Sequence, residues 1–267
     1  MNKIETISKL KKEDKMTHEE AVEFYEYNTS NDLEIKLNTL IHGDALDLLS
    51  KIEDNSIDFL ILDPDYQDWD KLNESGLMIE AVRVLKSTGN IVCFTKQPFD
   101  YNLRNEIDHI FRREIIWSFS NGGAWVSNRM PLVSFQKLYW LTTSKNFYID
   151  VRTGLEYNEG TKSMKRTNKV FGGYEAEGKQ FEKSDEGTWI RDHYHFNKPQ
   201  CGKIPAKPEE LIRILIKCFC PENGIVLDPF FGSGIVGTVC KNLNRNFIAF
   251  ENDIERVELY NTNSGLF

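Results

Sequence analysis

Short runs of consecutive apolar residues, each closed by a polar turn, recur along the chain. Continuous apolar runs of this kind are typical of strands that are buried on both faces in a parallel sheet. They predict strands at 37–41, 57–62, 91–94, 113–119, 138–143, 225–227 and 246–250. Amphipathic stretches between them predict helices at 45–51, 76–86, 99–110, 208–218 and 235–243. Strands that alternate with helices indicate an α/β fold with a doubly wound, mostly parallel sheet.

The same pattern divides the chain into four segments. Residues 1–35 form a predicted helical extension, which a capping box at Thr17-His-Glu-Glu20 opens. The predicted sheet occupies residues 36–149 and returns in residues 203–267. In the intervening residues 150–202 the apolar periodicity fades, while glycine, asparagine, lysine, tyrosine and threonine become frequent. This segment is therefore predicted to be an insert in the α/β domain.

The predicted insert carries a run of basic residues without an acid. Its cations are Lys162, Lys165, Arg166 and Lys169. A solvated loop is the ordinary explanation of such a run. Aromatic and hydrogen-bonding side chains lie nearby in the sequence, and that mixture also suits a nucleic-acid surface. Both interpretations stay open here, because the segment contains no known DNA-recognition motif.

A glycine turn follows an apolar strand near the C-terminus. Its sequence is Val226-Leu-Asp228-Pro-Phe-Phe-Gly232-Ser-Gly234, and a predicted helix comes directly after it. A strand, an acid at its end, Gly-x-Gly and a helix form the element with which open α/β sheets bind an adenosine-containing ligand. Glu251 ends the next predicted strand, about 20 residues later, where an acid accepts hydrogen bonds from ribose hydroxyls. The alternative for Glu251 is a solvated acid at a strand end.

Three adenosine-containing ligands come into question, namely a dinucleotide, ATP and S-adenosylmethionine. The Gly-x-x-x-x-Gly-Lys-Ser/Thr sequence of ATP-binding P-loops is absent. Gly237 completes the Gly-x-Gly-x-x-Gly spacing of the dinucleotide fingerprint, so the glycines alone leave a dinucleotide open. Asp228 at the loop entrance would repel a pyrophosphate and attract an ammonium or sulfonium group. The sequence therefore favours S-adenosylmethionine.

A second apolar strand ends in Asp63-Pro64-Asp65-Tyr66. A nucleobase amino group is a poor nucleophile, because its lone pair is delocalised into the ring. A carboxylate and a backbone carbonyl that accept its two hydrogens would direct the lone pair at a methyl group, and Asp63 and the carbonyl of Pro64 fit these roles. Tyr66 can stack on a base that has been swung out of a duplex. A simple strand-ending turn is the alternative, and the glycine turn elsewhere in the chain argues against it.

The composition is that of an ordinary globular protein with a full core, with 267 residues of which 40% are hydrophobic and 28% charged. A net charge of −8 gives no general attraction to nucleic acid, so a DNA-acting enzyme needs a local basic face. No apolar run approaches the roughly 20 residues of a membrane span. The N-terminus lacks the apolar centre of a signal peptide, so we expect a cytoplasmic protein without a membrane partner. The five cysteines are scattered without a Cys-x-x-Cys pair, which predicts buried reduced thiols and no metal site.

The tetrad at 63–66 ahead of the glycine turn resembles the beta class of amino-group DNA methyltransferases, which act on adenine N6 or cytosine N4. Further segments similar to that family lie at 42–46, 83–92, 114–117, 204–208 and 244–251. In all, the resemblance covers residues 37–145 and 203–260. Asp44 lies in the family's early Gly-Asp segment, whose acid contacts the cofactor. From the residues alone, Asp44 is equally a cap of the helix that follows it.

Three positions depart from the family pattern. The tetrad is usually Asp-Pro-Pro-Tyr, and Asp65 stands at its third place. The glycine loop usually continues Gly-Ser-Gly-Thr-Thr, whereas Ile235-Val follows Gly234 here. Pro-Ala replaces Thr-Gln before Lys207. None of these changes removes a residue with an assigned role, although Asp65 places an additional carboxylate beside the tetrad.

The resemblance implies a Rossmann-like, S-adenosylmethionine-dependent methyltransferase fold, with a catalytic half at 36–149, a target-recognition insert at 150–202 and a cofactor-binding half at 203–267. It implies transfer of a methyl group to adenine N6 of a flipped-out base in double-stranded DNA. The implied catalytic residues are Asp63, Pro64 and Tyr66. The cofactor contacts would be Asp44, Asp63, Lys207, Asp228, Phe230, Gly232, Ser233, Gly234, Glu251 and Asn252. The DNA contacts would be Lys162, Lys165, Arg166 and Lys169, and the reaction needs no metal.

Adenine is the favoured base because position 63 is an acid, and cytosine-N4 enzymes more often begin this tetrad with serine. Three alternatives remain open. They are methylation of cytosine N4, methylation of an amino group in RNA or protein, and a non-catalytic nucleic-acid-binding subunit whose site Asp65 has spoiled. The resemblance also raises a second copy of the chain and a cognate restriction endonuclease as partners, and the sequence shows no interface for either.

Overall fold

A computed structural model describes residue 17 and residues 36–64, 76–97, 99–121, 132–153, 188–199 and 205–264. The strands in these ranges are β1 (Thr39–His42), β2 (Ile57–Leu62), β3 (Leu85–Thr95), β4 (Phe111–Ser118), β5 (Phe135–Leu141), β6 (His193–His195), β7 (Ile225–Asp228) and β8 (Asn246–Glu251). The helices are α1 (Ala45–Leu49), α2 (Leu77–Val84), α3 (Phe99–Glu106), α4 (Glu209–Phe219), α5 (Ile235–Asn242) and α6 (Ile254–Ser264).

The described strands form one sheet in the order β1-β8-β7-β2-β3-β5-β4-β6. Neighbouring strands pair in parallel, except that β5 runs antiparallel to both β3 and β4. Seven strands therefore end at the same edge, which we call the carboxyl edge. The mostly parallel sheet predicted from the sequence is confirmed.

Helices cover both faces of the sheet. The first core packs α4 and α5 against one face, and it includes Phe59, Phe94 and Trp117. The second core packs α1, α2 and α3 against the other face, and it includes Leu60 and Leu62. All six residues of β2 are buried, because successive side chains of a central strand enter the two cores alternately. This is the doubly wound arrangement.

Two strands differ from the prediction. The predicted helix at 76–86 already ends at Val84, and β3 begins at Leu85 and not at residue 91. The polar Asn90 is fully buried there, and its Nδ2 donates to the carbonyls of Tyr148 at 2.8 Å and Phe219 at 3.0 Å. Its Oδ1 accepts from Trp140 Nε1 at 2.8 Å. Partners that lie far away in the sequence therefore allow a polar residue inside this strand. The other strand, β6, was not predicted at all.

Asp58 is the one interruption in the apolar run of β2, and it joins three strands at the edge opposite the carboxyl edge. Its Oδ2 accepts from the backbone N–H of Ile225 at 2.9 Å and pairs with Lys86 Nζ at 2.8 Å. Ile225 begins β7, and Lys86 lies near the start of β3. The carboxylate thus fixes β7 beside β2, which brings the ends of these two strands together at the carboxyl edge.

Four of the five cysteines, at positions 93, 218, 220 and 240, are free and buried, as predicted; Cys201 lies outside the described residues. Burial raises the pKa of the Cys218 and Cys220 thiols to about 12. Within the described ranges the longest helices fall short of the length and apolar character that a membrane crossing needs.

Candidate active site

The ends of four neighbouring strands place four acids along one half of the carboxyl edge. Asp44 follows β1, Glu251 ends β8, Asp228 ends β7 and Asp63 follows β2. Since these strands are parallel and adjacent, the acids predicted from four separate stretches of sequence lie in one row. In open α/β sheets this edge is where ligands bind.

The glycine turn after β7 is fixed to the end of β8. Phe231 N–H donates to the carbonyl of Phe250 at 3.0 Å, and Gly232 N–H donates to Glu251 Oε2 at 2.8 Å. Gly232 and Gly234 have φ angles of +53° and +77°, a region that side chains with a Cβ rarely adopt. Beneath the turn, the Phe231 ring packs edge-on against Tyr260 with centroids 4.8 Å apart. The turn is therefore held in place without a ligand.

Glu251 is buried and organises the backbone around it. Besides accepting from Gly232, its Oε1 accepts from the N–H of Asp253 at 3.1 Å. Arg256 Nη1 lies 3.7 Å from its Oε2. A carboxylate has about four acceptor positions, so these contacts leave capacity for a ribose hydroxyl. The side chain of Asn252, the next residue, is exposed at the edge.

Asp228 is almost completely buried at the end of β7. Its Oδ1 accepts from the N–H of Phe230 at 3.1 Å. The pKa of Asp228 is raised to about 7, mainly by burial and also by the carboxylates of Asp63 and Glu251. The Phe230 N–H and the Lys207 ammonium act in the opposite direction. Within the described part of the chain, no cationic side chain lies within 4.0 Å of this carboxylate. A site of this kind suits a cationic ligand.

Asp63 forms an ion pair that the sequence did not predict. Lys207 Nζ lies 2.5 Å from Asp63 Oδ2, and it also lies 4.7 Å from the centre of the Phe94 ring. The sequence analysis assigned Lys207 to the carboxylate of a cofactor, and that role stays a prediction. Pro64 is buried beside Asp63, whereas Asp65 and Tyr66 lie outside the described residues.

Asp44 acts as a helix cap. Its Oδ1 accepts from the N–H groups of Leu46 at 2.9 Å and Asp47 at 3.3 Å, so it satisfies the free N–H groups at the start of α1. One of the two roles left open by the sequence is therefore observed. The side chain is exposed and retains acceptor capacity, so the ligand contact remains a prediction.

The other candidate residues are divided between the described ranges and the rest of the chain. Phe230 and Ser233 lie on the glycine turn, with Ser233 exposed at its tip. The predicted DNA contacts Lys162, Lys165, Arg166 and Lys169 all lie outside the described residues. Among the described residues, no group of three or more His, Cys, Asp or Glu side chains is arranged to hold a metal ion.

A polar cluster that sequence reasoning missed lies at the ends of β4 and β6. Ser118 Oγ is 2.8 Å from His193 Nε2 and 3.0 Å from His195 Nδ1, and Ser120 Oγ is 3.2 Å from His195 Nε2. The alternation of His193-Tyr-His195-Phe has the period of a strand and was the signal available. It was too short to stand out in a segment without periodicity.

A cavity of about 490 Å³ lies on the first-core side of β4 and β6. It is lined by Arg113, Ile115, Trp140, Ile149, Ile190, Arg191, Asp192, His193 and Phe219. None of the candidate cofactor or catalytic residues lines this cavity. The candidate cofactor and catalytic residues that the structure describes therefore lie at the carboxyl edge and not in this cavity.

Comparison with known proteins identifies the family of the chain. The sequence model of the N6/N4 DNA methylase family matches residues 27–262 of the chain. The chain belongs to this family. Type II methyltransferase M.HinfI of Haemophilus influenzae is 26% identical over 261 residues, which cover 84% of this chain and 67% of that protein. As a member of the N6/N4 DNA methylases, the chain is a DNA methyltransferase.

Two solved structures have the same fold as this N6/N4 DNA methylase. M1.HpyAVI in complex with SAM superposes with a TM-score of 0.59 at 22% identity, covering 84% of this chain and 98% of that one. The PvuII DNA methyltransferase, which is cytosine-N4-specific, superposes with a TM-score of 0.58 at 17% identity, covering 82% and 83%. At these identities the likeness shows the fold alone, so the methylated base is not decided by it.

Proposed function

We propose that this DNA methyltransferase transfers a methyl group from S-adenosylmethionine to adenine N6 in double-stranded DNA. The observation that carries the proposal is the adjacency of β2 and β7, since Asp63 directly follows β2 and Asp228 ends β7 at the same edge. The first acid suits a nucleobase amino group, and the second suits a cationic ligand. A site with both functions on neighbouring strands can place an acceptor amino group beside a methyl donor.

The residues of the carboxyl edge fit S-adenosylmethionine. Glu251 has acceptor capacity for ribose hydroxyls, and buried Asp228 lacks a close cation among the described residues and would attract the ammonium of the methionine part. Gly232, Ser233, Gly234 and Phe230 form the turn around that part, and Asp44, Asn252 and Lys207 complete the proposed cofactor contacts. When bound, the cofactor supplies an electrophilic methyl group on a sulfonium.

Asp63 and Pro64 orient the acceptor. The Asp63 carboxylate and the carbonyl of Pro64 accept the two hydrogens of the adenine amino group, and this turns the N6 lone pair out of conjugation with the ring. In this orientation the lone pair would face the methyl group that the bound cofactor supplies, and the Asp63 carboxylate would accept the proton that the amino nitrogen loses when its N–C bond forms. Tyr66 stacks on the flipped base in this proposal.

The proposal is tested by transfer of labelled methyl from S-adenosylmethionine to unmethylated, mixed-sequence genomic DNA, followed by nucleoside analysis. Label in N6-methyladenine is the expected result. Label in N4-methylcytosine would retain the mechanism and overturn the choice of base, which rests on an acid at position 63. Absence of label from DNA, together with label in RNA or protein, would overturn the proposed substrate. Cofactor binding without any transfer would support a non-catalytic subunit.

The proposal extends to the segment at 150–202 as the target-recognition region. Its described part includes β6, which pairs with β4 and ends at the carboxyl edge. A second copy of the chain and a cognate restriction endonuclease remain proposed partners. The mass of the protein in solution, and cleavage of unmethylated DNA by a co-purifying protein, would test them.

Replacement of Lys207 by Met is expected to lower kcat about tenfold to a hundredfold, because charged hydrogen bonds contribute about 1.5–3 kcal/mol. This ammonium pairs with Asp63 and offsets the repulsion between the carboxylates of Asp63 and Asp228. Lys207→Arg keeps the charge and should retain most of the activity. The alternative role, on the carboxylate of the cofactor, predicts instead a weaker dissociation constant for S-adenosylmethionine with kcat at saturation unchanged.

Replacement of Gly234 by Ala is expected to weaken S-adenosylmethionine binding about tenfold, since a left-handed conformation costs a residue with a Cβ roughly 1–2 kcal/mol. The added Cβ would also lie 2.8 Å from Tyr260 Cδ2, so the turn must shift. Gly76→Ala is the matched control, because Gly76 has a φ of +90° and no atom of the described residues lies within 4 Å of the added Cβ. Calorimetric titration should show equal binding by wild type and the control; equal weakening in both variants would contradict the role of the turn.

A further inference from the structure

Among the described residues, lysines lie along the half of the carboxyl edge beyond Asp63. Lys96 follows the end of β3, and Lys198 lies just after β6, which ends beside β4. Lys207 lies between the two halves and pairs with Asp63. The acids thus lie at the ends of β1, β8, β7 and β2, on the cofactor side. The lysines lie at the ends of β3 and β6, on the other side of Asp63. This division of charge follows the strand order and is not visible in a net charge of −8.

The backbone of Lys198 is rigidly placed. Asn121 makes two hydrogen bonds with it, because its Oδ1 accepts from Lys198 N–H at 2.8 Å and its Nδ2 donates to Lys198 carbonyl at 2.8 Å. Ser120 N–H donates to Asn197 Oδ1 at 2.9 Å in the same stretch. These side chains continue the pairing of β4 with β6 beyond the strand ends. A lysine held in this way loses little backbone entropy when it binds a ligand.

The Lys198 ammonium stands on an aromatic ring on the first-core side. Its Nζ lies 4.0 Å from the centre of the buried Phe119 ring, just as Lys207 Nζ lies over Phe94. Such cation–π contacts hold an ammonium in position while leaving its far side open to a ligand. Burial lowers the pKa of Lys198, and the positive charges of Lys207 and Lys96 lower it further. The Lys198 ammonium is therefore close enough to those of Lys207 and Lys96 to be repelled by both.

The described residues provide no counter-ion for Lys198. Among the described residues, neither Lys96 nor Lys198 has a carboxylate within 4.0 Å. The acids on the neighbouring strands and helix, Glu114 and Asp100, both pair with Lys137 instead. Two ammonium groups that repel each other and have no counter-ion among the described residues are suited to bind an oxyanion.

We propose that Lys198, held by Asn121 and Phe119 and assisted by Lys96, binds a backbone phosphate of the DNA strand next to the flipped adenine. This inference rests on the proposed function, because it takes Asp63 as the place of the adenine amino group. Lys198 lies on the opposite side of Lys207 from the cofactor acids, which is where the strand that carries the base must pass. A phosphate here would relieve the repulsion among the lysines and fix the register of the strand.

The test is binding of a fluorescent DNA duplex of mixed sequence by the full chain over a series of salt concentrations. Lys198→Met is expected to weaken DNA binding about tenfold, because a lost charged hydrogen bond costs at least about 1.5 kcal/mol. It should also reduce the slope of log K against log salt by about 1, which is the effect of one lost phosphate contact. A purely structural role of Lys198 would leave this slope unchanged. Lys198→Arg should restore it.

Lys145→Met is the matched control, since Lys145 is exposed after β5 at the opposite edge and its loss changes the net charge equally. It should leave both affinity and slope at the wild-type values. An equal change in both variants would overturn the proposed contact. The proposed contact would also be overturned if Lys198→Met left the slope unchanged and weakened S-adenosylmethionine binding in calorimetry. The oxyanion bound by Lys198 would then be the carboxylate of the cofactor. Failure of the wild-type chain to bind DNA would instead overturn the proposed function, and the phosphate contact with it.

Discussion

Asp63→Ala is expected to reduce methyl transfer by about a thousandfold, which is the range found when an oriented hydrogen-bonding or acid–base group is removed from an active site. Without the Asp63 carboxylate, the amino group of the flipped base keeps its lone pair in conjugation with the ring. The dissociation constant of S-adenosylmethionine should change little, because Asp228 and Glu251 belong to other strands. Initial rates with saturating DNA and calorimetric titration of the cofactor measure the two quantities separately.

Two variants control this result. Asp63→Asn keeps the shape and one acceptor oxygen, so it should retain more activity than Asp63→Ala while losing the ion pair with Lys207. Asp108→Ala removes an exposed carboxylate that pairs with Arg104 on α3, away from the row of acids, and it should leave the rate unchanged. If Asp63→Ala abolished cofactor binding as strongly as turnover, Asp63 would be a cofactor residue and its catalytic assignment would be wrong.

The positions of the acids could be predicted from the sequence because each depends on a local signal. The apolar run that ends at Leu62 marks β2, and the run that ends at Leu227 leads to the end of β7. In a parallel sheet every such end falls on one edge, so the sequence indicates that Asp63 and Asp228 share a site before any contact is known. Glu251 follows the same logic on β8.

The contacts of the lysines could not be predicted, because they join segments that are distant in the sequence. Lys207 pairs with Asp63 across the edge, and Asn121 fixes the backbone of Lys198 from another strand. Nothing in the residues around Lys198 or Lys207 specifies such partners. The start of β3 was missed for a related reason, since Asn90 is satisfied by distant carbonyls and not by a helix end.

Asp228→Asn is expected to weaken S-adenosylmethionine binding about tenfold to a hundredfold, as for the loss of a charged hydrogen bond. It is also expected to stabilise the protein without cofactor. Burial raises the pKa of Asp228 from an ordinary 3.8 to about 7, which corresponds to about 4 kcal/mol against its charged form in the fold. The amide carries no charge, so it recovers part of this free energy of unfolding.

The sign of the pH dependence distinguishes this effect from an ordinary stabilising substitution. Below pH 3.8 both the folded and the unfolded wild type keep the proton of Asp228, and the group contributes nothing. Between pH 3.8 and about 7 the unfolded chain releases this proton while the folded one retains it, so the wild type loses stability from this group as the pH rises. Above about pH 7 the loss is complete. The melting temperature of Asp228→Asn should therefore exceed that of the wild type by a margin that grows up to about pH 7.

Binding should follow the opposite course in the wild type, because the ionised carboxylate is the form that attracts an ammonium. Affinity for S-adenosylmethionine is thus expected to rise with pH through about 7 in the wild type and to stay flat in Asp228→Asn. Glu222→Gln, which removes an exposed acid before β7, should follow the wild type in both measurements. If the difference in melting temperature between Asp228→Asn and the wild type did not depend on pH, ionisation of Asp228 would not destabilise the protein without cofactor. If the margin appeared and binding were unaffected, the buried acid would serve the fold and not the cofactor, and the cationic ligand would have to lie elsewhere along the edge.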